Sequence, residues 1–273
     1  METMIRPPAV AGMFYPADER KLKEEVKYLL DMSKTEKSAG DIAAIVVPHA
    51  GYIYSGRTAA YAYNAIKDRA YDTVVILSPS HREYFPGVSV YKGDAYKTPL
   101  GIIPVNKKMR EEITKDSKLI FQGIEGHRQE HALEVQLPFL QMVLKEFSIL
   151  PIVIGDQKPP FLFELSDRLA KVVDERTLIV ASSDLSHFHT KQQADKLDSI
   201  VERRIAGFDY NALLEDLETN RCEACGGGPI VAAMRTADLI NKKKAVVLDR
   251  SDSGDVTGDF SEVVGYLSAM IYE

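Results

Sequence analysis

Runs of β-branched and aliphatic residues alternate with amphipathic stretches along this chain of 273 residues. We predict buried strands at residues 44–47, 73–77, 149–154 and 177–181. We predict helices from the 3.6-residue periodicity at residues 18–32, 107–115 and 161–173. Strands that alternate with helices form α/β folds whose sheet is mostly parallel. The pattern therefore predicts an α/β protein with a mostly parallel sheet.

Three short segments extend this prediction towards a mixed sheet. Residues 88–91 are flanked by glycines and predict an edge or hairpin strand, and residues 245–248 and 263–270 predict two more strands near the end of the chain. Pro229 suits the first turn of a helix over residues 229–240. We find no internal repeat, low-complexity tract or long linker, and so expect one domain over residues 1–273.

Composition narrows the classes of partner. The formal net charge of -6 argues against a nucleic-acid partner, because proteins that bind phosphate backbones carry excess lysine and arginine. No run of about 18 apolar residues is present to span a bilayer, and the first residues lack a secretory pattern. We therefore expect a cytoplasmic protein without a membrane partner. The oligomeric state is left open.

Histidines follow several predicted strands. His49 lies in the loop PHAGYIYSG after the first strand, His81 ends SPSH after the second, and His187 follows a later one. Side chains just beyond strand ends converge in α/β proteins, and convergent imidazoles hold a metal or move a proton. His49 alone is equally typical of a buried histidine bonded to backbone. Two successive strand-end histidines favour metal ligands or an acid/base pair.

Two further motifs place polar groups near helix starts or loops. In GHRQEHALEVQLPFL, His131 and Glu134 are three residues apart and are predicted to lie on one helical turn. They could act as a base and the residue that orients it, or as metal ligands. They are also typical of a helix cap and a surface pair with no function. His127 is predicted to be exposed. In SSDLSHFH, Asp184 could orient the imidazole of His187, or it could cap a helix while His187 fills a polar pocket.

The two cysteines, Cys222 and Cys225, lie in RCEACGGGPI before the last predicted helix, and their number excludes a disulfide framework. A thiol near a helix N-terminus has a lowered pKa and becomes a metal ligand or a nucleophile. Of the two, Cys225 is the better placed for such a role, because it lies directly before the glycines that precede the predicted helix. A dithiol redox pair is the alternative, whereas the glycines lack the lysine and spacing of a phosphate-binding loop.

The ordered motifs RPPAVAGMFYP, PHAGYIYSG, LSPSH, EHALEVQLPFL, ASSDLSHF and ACGGGPI together resemble the Memo family, nearly end to end. The resemblance implies a three-layer α/β/α fold similar to that of the class III extradiol dioxygenases, which are non-haem iron enzymes. It implies metal binding by His49, His81 and Cys225. It also implies that His131, Asp184 and His187 line a polar pocket nearby.

The third ligand position departs from the dioxygenase pattern of two histidines and one glutamate. A thiolate at Cys225 makes the site softer, which favours copper, zinc or a differently tuned iron, and it exposes the ligand to oxidation. We therefore expect a bound metal, iron or copper in preference to zinc, and a metal-dependent oxidoreductase that acts on a small molecule or peptide in the pocket.

Two other functions stay open at this point. The altered third ligand is also compatible with a non-enzymatic peptide- or protein-binding scaffold derived from a dioxygenase-like fold. A zinc-assisted hydrolase, with His131 or Glu134 as the base, is the other alternative. The substrate cannot be read from these motifs.

Overall fold

The structure, a computed structural model, describes residues 3–34 and 40–273. Its helices are α1 (Glu19–Met32), α2 (Tyr52–Ile66), α3 (Lys107–Thr114), α4 (Leu137–Val143), α5 (Pro159–Leu169), α6 (Lys191–Ala206), α7 (Tyr210–Glu218), α8 (Gly227–Leu239) and α9 (Gly254–Thr257). Its strands are β1 (Ile5–Arg6), β2 (Ile42–Val47), β3 (Thr73–Pro79), β4 (Val88–Tyr91), β5 (Ala95–Thr98), β6 (Gly101–Pro104), β7 (Ile120–Gly123), β8 (Ser148–Ile154), β9 (Thr177–Ser182), β10 (His187–His189), β11 (Lys244–Asp252) and β12 (Val263–Tyr272).

Most strands join one mixed sheet in the order β10-β12-β2-β9-β3-β8-β4-β7, with β11 paired to β12. The central strands β2, β9, β3 and β8 are parallel, whereas β12 runs antiparallel to β2 and β4 runs antiparallel to β8. Strands β1, β5 and β6 form a separate small sheet. The predicted strands at residues 44–47, 73–77, 149–154 and 177–181 are confirmed, each extended by one or two residues at one or both ends.

Helices cover both faces of the sheet because its central strands are apolar on both sides. Successive side chains of a strand point to opposite faces. Ile45 and Val47 pack in the core that includes α1, α2 and α4, whereas Ala44 and Val46 pack in the core that includes α3, α5, α6, α7 and α8. The result is the three-layer α/β/α architecture, as predicted.

The prediction for residues 88–91 is wrong in its position. Strand β4 is buried throughout and lies between β8 and β7, so it is not an edge strand. The edge belongs to β7, whose four residues IFQG are only partly buried and carry too short a pattern to predict. In the part of the chain that the structure describes, no helix is both long and apolar enough to cross a membrane.

Candidate metal centre

The carboxyl ends of the parallel strands bring three separate loops together. His49 follows β2 and His81 follows β3, while Cys225 lies directly before α8. One ligand atom from each of these residues lies within 4.8 Å of the other two. The structure therefore brings the three residues of the predicted metal set into one group.

Cys225 reaches this group because α8 begins close against the end of β9. The backbone N–H of Cys225 donates to the carbonyl oxygen of Asp184 at 3.2 Å, and that of Gly226 donates to Ser183 Oγ at 3.0 Å. A Cβ atom at Gly226 would lie 2.1 Å from the carbonyl oxygen of Ser182, so only glycine allows this approach. Cys225 Sγ consequently lies 3.1 Å from His49 Nε2.

Ser182 determines which nitrogen of the buried His49 ring carries the hydrogen. Ser182 Oγ donates to the carbonyl oxygen of Ala132 at 2.7 Å and accepts from Gln136 Nε2 at 2.9 Å. His49 Nδ1 lies 2.9 Å from the same hydroxyl oxygen, and it must donate because a hydroxyl has one hydrogen. His49 therefore presents the lone pair of Nε2 to Cys225.

His81 has the same arrangement, with a carboxylate as acceptor. Its Nδ1 lies 2.9 Å from Oε1 of Glu130, and its backbone N–H donates to Oε2 at 2.6 Å. A carboxylate only accepts, so Nδ1 carries the hydrogen and Nε2 is left with a free lone pair. Histidines that bind metals almost always donate their second N–H to a carboxylate, carbonyl or water in this way.

Glu130 is a site residue that the sequence analysis did not select. Burial raises the pKa of its carboxyl, but hydrogen bonds from the ring and backbone of His81 and from the backbone of Ala132 outweigh burial and bring the pKa down to about 2. Glu130 is therefore ionised although it is almost fully buried. Its place beside His131 in RQEHALE was the only hint in the sequence.

Burial also determines the charge of the other groups at this centre. It lowers the pKa of His49 well below the usual value, and it lowers that of His131 to about 4, with nearby histidines adding to both effects. The neutral imidazole is the form that binds metals. Burial and the neighbouring Asp184 raise the pKa of the Cys225 thiol, so the predicted lowering by the helix N-terminus is wrong for the protein without a cation.

His131 stands beside the two ligand histidines. Its ring centroid lies 4.8 Å from that of His81 and 5.5 Å from that of His49, and Phe14 packs against it at 4.8 Å. His131 Nδ1 is 3.3 Å from Glu130 Oε1, but it has no hydrogen-bond partner among the described residues. The structure thus holds an unsatisfied nitrogen next to the centre.

Asp184 and His187 do not pair with each other within the described ranges. Asp184 Oδ1 accepts from the backbone N–H of His49 at 2.7 Å, and burial raises the pKa of this carboxyl. His187 Nδ1 instead donates to the carbonyl oxygen of Leu185 at 2.8 Å. Asp184 therefore orients the loop of His49 rather than the ring of His187.

Comparison with known proteins identifies the family. The profile described as "Memo-like protein" matches residues 6–270. The chain belongs to the Memo family. MEMO1 family proteins of Thermoplasma acidophilum and Thermotoga maritima are 40% and 38% identical to it, over 97% and 98% of this chain and 98% and 100% of theirs.

The fold of this Memo-family chain is also found at low sequence identity. The crystal structure of an uncharacterized protein from Escherichia coli K12 is similar with a TM-score of 0.55 and 15% identity. The similarity covers 84% of this chain and 99% of the E. coli chain. At that identity the similarity concerns the fold alone.

Glu134 has a different environment from the rest of the predicted Memo site. Arg6 Nη1 and the backbone N–H groups of Ala9 and Val10 donate to its fully buried carboxylate, the latter two at 2.7 and 3.0 Å. Tyr15 donates to it as well. These contacts anchor the N-terminal motif RPPAVAGMFYP and engage both carboxylate oxygens. We therefore assign Glu134 a structural role in anchoring the N-terminal segment.

His127 is buried, so its predicted exposure is wrong. Its Nδ1 accepts from the hydroxyl of Tyr96 at 2.7 Å, and its Nε2 donates to the carbonyl oxygen of Ser89 at 3.1 Å. Burial lowers its pKa to about 3. Its carbonyl oxygen accepts from Nε of Arg6 at 3.0 Å, which places His127 in the network that anchors the N-terminal segment.

Two cavities open beside the candidate metal centre of this Memo protein. The first, which we call the aromatic pocket, has a volume of about 490 Å³ and is lined by His131, Asp184 and several aromatic side chains. The second has a volume of about 460 Å³ and is lined by Cys225 and Cys222. His187 lines both cavities and so lies between them.

Proposed function

We propose that this Memo-family chain is a metal-dependent redox protein, whose metal is held by His49, His81 and Cys225. The observation that carries the proposal is the position of the ring hydrogens. Both histidines commit Nδ1–H to an acceptor, Ser182 for His49 and Glu130 for His81. Both therefore keep Nε2 available as a ligand, as metal-binding histidines do.

The donor set favours iron or copper over the hard cations. Two imidazoles and a thiolate are borderline to soft ligands, which suit copper, zinc and iron and do not suit magnesium or calcium. When bound, iron or copper supplies a Lewis acid that also transfers electrons. Burial raises the pKa of the Cys225 thiol, and a coordinating cation would have to deprotonate it to bind.

The residues around the ligands supply positions for protons. His131 is neutral at pH 7 and lines the aromatic pocket, so its ring can accept a proton from a molecule bound there. His187 donates Nδ1–H to the carbonyl oxygen of Leu185 and lines both cavities. We assign proton transfer to these two histidines.

Two carboxylates have positioning roles in this proposal. Asp184 holds the backbone of His49, and Glu130 holds both the ring and the backbone of His81. Carboxylates behind the ligands orient the rings and raise their basicity. Both act through a histidine and not on the substrate.

Elemental analysis of anaerobically purified protein tests the proposal. We expect near-stoichiometric iron or copper in the wild type and its loss in the double variant with His49→Ala and Cys225→Ser. Cys222→Ser is the matched control, because Cys222 is a second cysteine of the same loop that lies outside the ligand group. Samples that retain iron or copper should then consume oxygen in the presence of a reductant.

Other outcomes would contradict the proposal and separate its alternatives. Equal trace metal in the wild type and the double variant would favour a metal-free binding scaffold. Zinc alone, lost in the double variant, would instead support metal-assisted hydrolysis, with His131 as the base. Iron or copper retained by the double variant would place the ligands elsewhere.

A further inference from the structure

The aromatic pocket reaches the candidate metal centre directly. Two of its lining residues, His131 and Asp184, contact or flank the ligand His49. Its volume of about 490 Å³ lies within the range of small-molecule sites. A molecule held in this pocket would therefore lie beside the proposed metal, and the chemistry of the lining indicates which class of molecule the pocket accepts.

The charged side chains of the lining are acidic. Asp259 and Glu262 line the pocket, whereas no lysine or arginine is among its described lining residues. Within residues 3–34 and 40–273, neither Asp259 nor Glu262 forms an ion pair. By contrast, Asp252 and Asp255 of the same region are both paired with Lys191. The charges of Asp259 and Glu262 are thus not paired with any lysine or arginine among the described residues.

The start of α2 also lines the pocket, through Ala50 and Gly51, and a helix start normally attracts anions. Here several of the backbone N–H groups near the helix start already have acceptors within the protein. Asp184 accepts the backbone N–H groups of His49 and Ala50, and the carbonyl oxygen of Phe14 accepts that of Tyr52 at 2.8 Å. These three N–H groups are therefore not available to an anionic ligand.

Aromatic rings form much of the remaining wall. Tyr54 and Phe188 are 41% and 70% exposed, and Phe14 and Tyr266 line the pocket with them. Phe188 has a φ of 61°, a left-handed conformation that is unfavourable for a residue with a side chain. Exposed rings of this kind attract organic cations through their faces, in addition to binding apolar groups.

We propose that the aromatic pocket binds an organic cation, an amine or quaternary ammonium compound with an apolar body. The rings would pack on the body while Asp259 and Glu262 face the positive charge. This inference rests on the proposed function, because it names the substrate class of the same centre. It predicts that a carboxylated molecule of the same shape binds more weakly than the amine.

Binding of three probes of similar shape and different charge tests the inference. The probes are 2-phenylethylamine, 2-phenylethanol and phenylacetate, which are cationic, neutral and anionic at pH 7. We expect the amine to bind about tenfold more tightly than the alcohol, and phenylacetate to bind most weakly. The full-length chain is used with its metal removed by chelation, and affinities are measured by NMR titration. The amine nitrogen then has no metal to bind, so a failure of metal loading does not affect the result.

A double variant, Asp259→Asn with Glu262→Gln, removes the charges and preserves side-chain size. Asn keeps the acceptor that Ser261 uses, since Oδ1 of Asp259 accepts from its backbone N–H and its hydroxyl at 2.9 and 2.6 Å. We expect affinity for the amine to fall about tenfold while affinity for the alcohol is unchanged. Glu112→Gln is the control, because Glu112 is exposed on α3 and outside the pocket lining. Thermal melting checks that each variant is folded.

Three results would overturn the inference. The first is phenylacetate binding as tightly as 2-phenylethylamine. The second is a preference for the amine that survives in the double variant. The third is the absence of binding by all three probes to a folded protein. Each leaves the metal analysis untouched, so the substrate class and the metal centre can fail separately.

Discussion

Two buried glutamates four residues apart, Glu130 and Glu134, serve different parts of the molecule. Glu130 faces the candidate metal centre and holds His81 by its ring and backbone. Glu134 faces the N-terminal segment and holds Arg6 together with two backbone N–H groups. Both lie in one motif, and both are at most 1% exposed. Burial of an acidic side chain therefore does not by itself identify a functional residue. The hydrogen-bond partners of the side chain show which part of the molecule it serves.

Arg6 connects the two environments without making them equivalent. Its guanidinium pairs with the side chain of Glu134 and donates to the backbone carbonyl oxygens of His127 and Glu130. The N-terminal segment is thus fixed beside the loop that carries Glu130 and His131. The charge of Arg6, however, is balanced by Glu134. The charge of Glu130 is stabilised instead by hydrogen bonds from His81 and the backbone.

The largest effect is expected for Glu134→Gln. This change leaves the buried guanidinium of Arg6 without its counter-charge, and breaking a buried pair in this way costs about 3–5 kcal/mol. Urea unfolding measures the loss of unfolding free energy. Glu24→Gln is the control, because its partner Arg20 lies four residues earlier on the exposed face of α1, where such pairs contribute about 0.3–0.5 kcal/mol.

A double-mutant cycle sharpens this result. If the pair itself is responsible, Arg6→Met combined with Glu134→Gln should cost less than the sum of the two single changes. A loss of under about 1 kcal/mol in Glu134→Gln would show that the pair is not structural and would remove the contrast between the two glutamates.

Glu130→Gln should act on metal affinity more than on stability. The amide has one oxygen where the carboxylate uses two, so the ring or the backbone N–H of His81 loses its acceptor. Loss of such a partner behind a ligand typically weakens metal binding about 10- to 100-fold. Competition with a chromophoric chelator measures the affinity, and Glu134→Gln should change it less in the folded protein. Equal losses in the two variants would contradict the division of roles.

Much of the fold could be predicted because it depends on local patterns. The β-branched runs predicted the central strands. The helix predicted over residues 18–32 is α1, and Asp18 caps it by accepting from the backbone N–H of Lys21 at 2.9 Å. His49 and His81 could be selected for a similar reason, since parallel strands end at one edge of a sheet. Cys225 was added to them by the resemblance to the Memo family. Strand β7 could not be predicted, because its four residues carry no distinctive alternation.

The remaining errors concern partners that are distant in sequence. Glu130 and Glu134 are both acids of one motif, and they differ in their side-chain partners: His81 for Glu130, and Arg6, more than 120 residues earlier, for Glu134. Cys225 has the helix-start position that lowers the pKa of a thiol, but burial outweighs the helix and raises it. Such competition between local and tertiary effects is decided by packing, which a single sequence does not display.

The smallest effect is expected from the acid titration of His127, the third member of the anchoring network. Its pKa is about 3 when folded, against an ordinary value of about 6.5, so the unfolded chain binds more protons between these values. The contribution of the neutral ring to the free energy of unfolding is fully present above pH 6.5, and it is lost as the pH falls towards 3. Between pH 7 and pH 5.5 the loss is about 1 kcal/mol.

The variant His127→Gln isolates this contribution. Glutamine can still accept from Tyr96 and donate to Ser89, but it does not titrate. Urea unfolding at pH 7 and pH 5.5 should show a smaller drop in the variant than in the wild type, because all other titrating groups are shared. An equal drop in both proteins would mean that His127 is hydrated or already charged in the folded state. The network around Arg6 would then be a looser, partly solvated region, and the contrast between the two glutamates would rest on Glu130 alone.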